Sequence, residues 1–94
     1  MSIAFGVLLW AHPGLADELS SYEDEVLGLL DDHDGRVVSR LRLSDEGGPT
    51  ELQVIEFGSS AGFDAYLADP RRTVRADERD RLIARTELLN GTPR

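Results

Sequence analysis

The stretch Ile3–Trp10 (IAFGVLLW) constrains the fold more than any other. Read as a strand, it carries Ile3, Phe5, Val7 and Leu9 on one face and Ala4, Gly6, Leu8 and Trp10 on the other. Both faces are apolar, so the strand demands cover from both sides. A chain of 94 residues makes one domain, in the size range where roughly 60–65% of the unfolded surface is buried. Such a chain can supply one covering layer; the second is expected from another copy of itself.

Apolar residues make up 40% of the chain and charged residues 30%, a composition that folds rather than one that stays disordered. With no cysteine, disulfide frameworks, thiolate metal sites and cysteine nucleophiles are excluded. The N-terminus enters a strand-like run directly and no apolar run approaches ~18 residues, so a cytoplasmic, soluble protein is expected. The net charge of −8 argues against nucleic acid and anionic membranes as partners. Every basic residue is arginine, open to two explanations: anion recognition by guanidinium forks, or a compositional bias of genome or salinity.

After the first strand, Ala11-His12-Pro13-Gly14 reads as a turn. Leu15, Leu19, Tyr22, Val26 and Leu29/Leu30 then form one stripe of an amphipathic helix running to about Asp32. Asp17, Glu18, Glu23, Asp24, Glu25, Asp31 and Asp32 occupy its other faces and read as solvated, since no calcium-loop spacing is present. Gly35 is expected to end the helix in the left-handed region. Arg36–Leu43 alternates, with Val37, Ser39, Leu41 and Leu43 opposing Arg36, Val38, Arg40 and Arg42, as a half-buried edge strand. Ser44–Thr50 turns it into Glu51–Phe57 as a hairpin.

Ser59 or Ser60 caps a second helix whose apolar face is Phe63, Tyr66 and Leu67. Asp69-Pro70 repeats the start signal, opening a polar helical stretch over Arg71–Arg79. Leu82–Leu89 is the last strand, stopped by Asn90-Gly91, with 91–94 as a tail. The order β-α-β-β-α-β is the split βαβ of ferredoxin-like folds: a four-stranded antiparallel sheet with helices on one face and the first and third strands central. The other face is bare in a single copy, so a homodimer through the sheet is expected. The arginines of the second strand and Arg85/Glu87 of the last would lie around the rim of that interface.

Tyr22, the segment Asp32–Arg40 (DHDGRVVSR), Val54–Phe57 (VIEF) and the helix break at Ala68–Pro70 (ADP), with a strand at each end, span nearly the whole chain. In these words it resembles the dimeric α/β-barrel superfamily, looking closest to a small bacterial branch of unknown function. More distantly it is similar to YciI-like proteins and antibiotic-biosynthesis-type monooxygenases. The resemblance implies a ferredoxin-like dimer with a cavity between helices and sheet. The functions it implies are diverse: cofactor-independent oxidation, haem handling, isomerisation or ligand sensing. YciI-like proteins carry a histidine in the first helix, paired with an aspartate; here that helix offers Tyr22, and His33 falls at its end.

The candidate catalytic residues are His12, Tyr22 and Glu56. His12 ends the central strand on the same side as Trp10, suiting a proton carrier at a cavity mouth or a plain turn histidine. Tyr22 either orients a substrate or serves as core. Glu56, between Ile55 and Phe57, is either a half-buried acid or an ion-pair partner of Arg40 or Arg42. Trp10, Tyr66, Arg71 and Arg72 are candidate ligand contacts. Trp10 equally suits core or interface; Arg71, Arg72 and Arg75 either hold an anionic group or balance neighbouring carboxylates. No metal and no cofactor are expected, though haem binding stays open. The function expected is binding of a small organic ligand between helices and sheet, with metal-free oxidation, isomerisation or cyclisation as the chemistry open to it. The alternative is a non-catalytic association or sensing module whose cleft is filled by its own side chains.

Overall fold

The computed structural model describes residues 2–94. Strand β1 (Ile3–Ala11) is followed by helix α1 (Ala16–Leu27), strands β2 (Gly35–Arg42) and β3 (Glu51–Phe57), helices α2 (Ser60–Ala68), α3 (Pro70–Thr73) and α4 (Ala76–Leu82), and strand β4 (Ile83–Gly91). The antiparallel sheet runs β2-β3-β1-β4, the ferredoxin-like order with β1 and β3 central. Among the described residues, no helix is long and apolar enough to cross a membrane.

The odd face of β1 is the core face. Phe5, Val7 and Leu9 are buried, packed with Ile55 and Phe57 of β3 and with Leu19, Tyr22, Val26 and Leu27 of α1. Phe5 stacks on Phe63 at 4.2 Å between ring centroids, and Phe57 meets Phe5 and Phe63 edge-on. Each such aromatic pair adds about 0.5–1.5 kcal/mol beyond its burial.

The even face of β1 is open. Pairing register lays Leu41, Leu52 and Leu8 beside Glu87 in one row, and Ser39, Val54 and Gly6 beside Leu89 in the next. Trp10, paired with Arg85 in register, carries that guanidinium 4.4 Å above its ring.

Four local expectations are corrected. First, α1 ends at Leu27, and a single 3-10 turn, Leu30–His33, follows it. Second, the left-handed residue there is Asp34 (φ 58°), not Gly35. Gly35 opens β2 against Phe57, and a Cβ on it would stand 2.8 Å from Phe57 Cε1. Third, β2 does not alternate cleanly. Val37 pairs with Ile55 but Ser39 pairs with Val54, so Val38 is an extra residue. That bulge moves Arg40 and Arg42 from the expected rim of the open face to the helix side, where they bind α1. Fourth, β4 runs from Ile83 through Gly91, which pairs with Ala4, because Leu82 still belongs to α4. The polar stretch before it is two short helices, α3 and α4, with the break at Val74–Arg75.

The caps follow the sequence. Ser59 Oγ accepts from Gly62 N at 3.1 Å, and Asp69 Oδ1 accepts from Arg71 N at 2.8 Å with Pro70 as first helical residue.

Candidate functional site

Helices and sheet leave a cleft of about 160 Å³ between them. Val7 and Leu9 of β1, Leu27 of α1, Ile55 of β3, Phe63 of α2 and Leu88 of β4 make its apolar walls. Its polar groups are Glu23, Gln53, Tyr66, Arg72, Arg79 and Thr86. Register explains the mixture. On the inward face of the sheet, Arg40, Gln53, Val7 and Leu88 form one row and Arg42, Glu51, Leu9 and Thr86 the next.

Polar groups at such inward positions need partners. Gln53, 2% exposed, donates through Nε2 to Glu23 Oε1 at 2.7 Å and to Glu51 Oε2 at 2.8 Å. Glu51, also 2% exposed, accepts from Ser20 Oγ at 2.9 Å and from Arg40 Nε at 2.8 Å. Arg40 pairs in turn with Asp24 and donates to the Ser20 carbonyl at 2.9 Å. Among the described residues, Glu51 thus has a direct cationic partner, whereas Glu23 has only the neutral amide of Gln53. Burial pushes the Glu23 carboxyl above the usual carboxylate range; the Gln53 hydrogen bond opposes that rise, Glu51 adds to it, and Arg72 and Arg79 act against it.

Tyr66 is buried and donates to the Val26 carbonyl at 3.3 Å. Burial pushes its hydroxyl up to about 12. The Arg72 guanidinium lies 4.5 Å from the centre of the Tyr66 ring, a cation–π stack, and Arg79 Nη2 donates to Thr86 Oγ1 at 2.8 Å. Both arginines also line an outer groove with Tyr22, Leu67, Thr73 and Ala76, so they stand where the cleft meets the surface.

The residues expected from sequence are therefore distributed unevenly. Tyr66 and Arg72 line the cleft. Tyr22 is buried beside it, reaches the outer groove, and carries Arg75 4.8 Å from its ring centre; burial, then Glu23, raises its hydroxyl. His12 is exposed in the turn after β1, its backbone N–H bonded to the Leu82 carbonyl at 3.0 Å. Glu56 lies on the open sheet face, 3.4 Å from Arg36 Nη2, and pairs with neither Arg40 nor Arg42. Trp10 is on the same open face. His12, Tyr22 and Glu56 are not brought to one cavity.

Arg71 also faces away from the cleft. It binds Asp69 and Asp32, while Arg75 binds Glu25 and Glu78. Asp69 is the centre of this outer cluster, receiving His33 Nε2 at 2.8 Å as well. The Arg71 side chain, then His33, then the Arg71 backbone N–H hold its carboxyl well below the usual range. His33 and Asp69 thus tie the 3-10 turn to the break between α2 and α3, although no residue of the cleft belongs to the pair.

Sequence reasoning did not select Glu23, Gln53 or Arg79. Gln53 carried a usable signal: in Glu51–Phe57 it shares parity with Ile55 and Phe57, so it is a polar residue at a core-facing position.

The fold and this cleft define a ferredoxin-like α+β domain with a pocket between its helices and sheet. No protein-family profile matches the chain, and no curated protein matches its sequence. Solved structures do. RPA0582 of Rhodopseudomonas palustris, a protein of unknown function, superposes with TM-score 0.77 at 16% identity over 99% of this chain and 82% of that one. A DABB family protein with a ferredoxin-like fold, mll5499 of Mesorhizobium loti, gives 0.72 at 15% identity over 99% and 97%. An uncharacterised NIPSNAP domain protein of Burkholderia xenovorans gives 0.74 at 16% over 100% and 95%. At these identities the likeness is one of fold, the ferredoxin-like fold.

Proposed function

We propose that this chain is a homodimeric α/β-barrel protein that binds a small organic ligand in the cleft between helices and sheet. The observation that carries the reading is the cleft itself: an apolar pocket of about 160 Å³ with a few converging polar groups, two of them on arginines at its mouth. A ligand site has this make-up, whereas a cleft filled by its own side chains would leave no such volume. Metal-free oxidation, isomerisation or cyclisation, if it takes place in the cleft, falls to Glu23, Tyr66 and Arg72, because His12 and Glu56 lie elsewhere.

The bare sheet face supports the dimer. Leu8, Trp10, Leu41, Leu52, Val54 and Leu89 present an apolar centre, with Arg36–Glu56 and Arg85–Glu87 pairs around it. Such a patch is self-complementary under a two-fold axis.

A thermal-shift screen of a metabolite library tests the binding reading, since a ligand of the folded state raises Tm by mass action. The expected result is a hit whose shift disappears when Val7→Trp fills the cleft. Hits that persist in a folded V7W chain, or a screen without hits, would count against it.

A further inference from the structure

We propose that the ligand of this cleft is a monocyclic monocarboxylic acid, its ring among the apolar walls and its carboxylate held by Arg72 and Arg79. The proposal rests on the reading of the cleft as a ligand site and names the chemistry of its occupant.

The charge inventory points to the acid. The chain has 18 acidic residues against ten arginines, so carboxylates are in excess. Arg36, Arg40, Arg42, Arg71, Arg75, Arg81 and Arg85 each pair with at least one. Among the described residues, Arg72, Arg79 and the exposed tail residue Arg94 pair with none, and of these Arg72 and Arg79 are partly withdrawn from water at the mouth of the cleft. Arg72 Nε is buried without any hydrogen-bond partner. A desolvated guanidinium is costly unless an anion meets it, and two in one mouth match the paired oxygens of a carboxylate. Guanidinium groups from α3 and α4 therefore both line this mouth, and no carboxylate among the described residues is in ion-pair contact with either.

The walls and the volume set the rest of the ligand. About 160 Å³ between Val7, Leu9, Ile55 and Phe63 gives room for a single six-membered ring; a dry apolar cavity of about 150 Å³ takes up benzene. Glu23 limits the charge. Besides its hydrogen bond to Gln53 it lies within charge range of Glu51 of β3, Arg72 of α3, Arg79 of α4 and the tyrosines Tyr22 and Tyr66, and a second carboxylate in the cleft would be repelled by it. One acid group is accepted and two are refused.

The test uses the full chain at pH 7 with four probes: benzoate, cyclohexanecarboxylate, terephthalate and the neutral benzyl alcohol, read by thermal shift and titration calorimetry. Benzoate and cyclohexanecarboxylate are expected to raise Tm and to bind at least about tenfold more tightly than benzyl alcohol or terephthalate. Arg72→Gln and Arg79→Gln, with folding checked by circular dichroism, should each weaken benzoate by about tenfold and leave benzyl alcohol unchanged. Equal binding of benzoate and benzyl alcohol, or benzoate affinity unaltered in both variants, overturns the proposal while the cleft survives as an apolar site. Binding of none of the four overturns the proposal together with the reading beneath it. If a variant does not fold, the comparison of the four probes on the unaltered chain decides.

Discussion

Gln53 holds Glu23 by a 2.7 Å hydrogen bond while the same amide nitrogen, at 2.8 Å, holds Glu51. One neutral group thus bridges two buried carboxylates on different elements. The two acids are not equivalent. Arg40 compensates Glu51, whereas Glu23 stands at the cleft with no direct cationic bond among the described residues.

From this follows a pH dependence with a definite sign. The Glu23 carboxyl lies above its unfolded value, mainly through burial. Its contribution to stability is complete below the ordinary carboxylate range near pH 4–5 and is lost as pH rises through the raised value. Glu23→Gln keeps an oxygen to accept from Gln53 and removes the charge. At pH 8 this variant should be more stable than the parent by about 1 kcal/mol, or ~4–8 °C in Tm. The advantage should vanish near pH 4, as read from urea midpoints at the two pH values. A constant difference would contradict the assignment.

Asp69 has the opposite sign. Its carboxyl is depressed by Arg71 and His33, so the stability it contributes is present above about pH 4, its unfolded range, and is lost as pH falls through the depressed value. Asp69→Asn retains the cap on Arg71 N but not the ion pairs. The variant should have a lower urea midpoint than the parent at pH 7, with the gap narrowing steadily below pH 4. Parallel acid profiles would show that the charge contributes nothing.

Gly35 tests the packing of β2. An added Cβ would lie 2.8 Å from Phe57 Cε1 and 3.1 Å from Leu30 Cδ2, both in the closed core. Gly35→Ala should cost about 1–3 kcal/mol by overpacking, measured as a fall in the denaturation midpoint. A neutral result would mean that Phe57 moves aside freely.

The open sheet face makes a prediction about assembly. Leu8 sits beside Leu52 on one side and Glu87 on the other, in the middle of the bare surface. Leu8→Asp places a carboxylate next to Glu87 where two copies would meet. Sedimentation should show a dimer for the parent and, for the folded variant, a dissociation constant raised roughly 30-fold or more, equivalent to about 2 kcal/mol. A parent that sediments as a monomer at micromolar concentration would remove the dimer altogether.

The order of the strands and helices, the central position of Ile3–Trp10, the cap at Asp69 and a cap at Ser59 or Ser60 were determined by the sequence alone; the structure selects Ser59. Alternation, helical periodicity and turn chemistry are local, so residues a few positions apart suffice to declare them. What only the tertiary structure decided was the side each polar residue faces and the partner it finds. The extra residue at Val38 reverses Arg40 and Arg42, and only the register of β2 on β3 reveals it. Glu23 looks like any other acid on a solvated helix until β3 sets Gln53 beneath it, 30 residues away in sequence. Whether Arg72 or Arg71 is left without a carboxylate depends on how α3 lies against Asp32 and Asp69. Folds follow from short-range pattern because burial acts on every residue of an element at once; a site depends on a few long-range contacts that no single segment encodes.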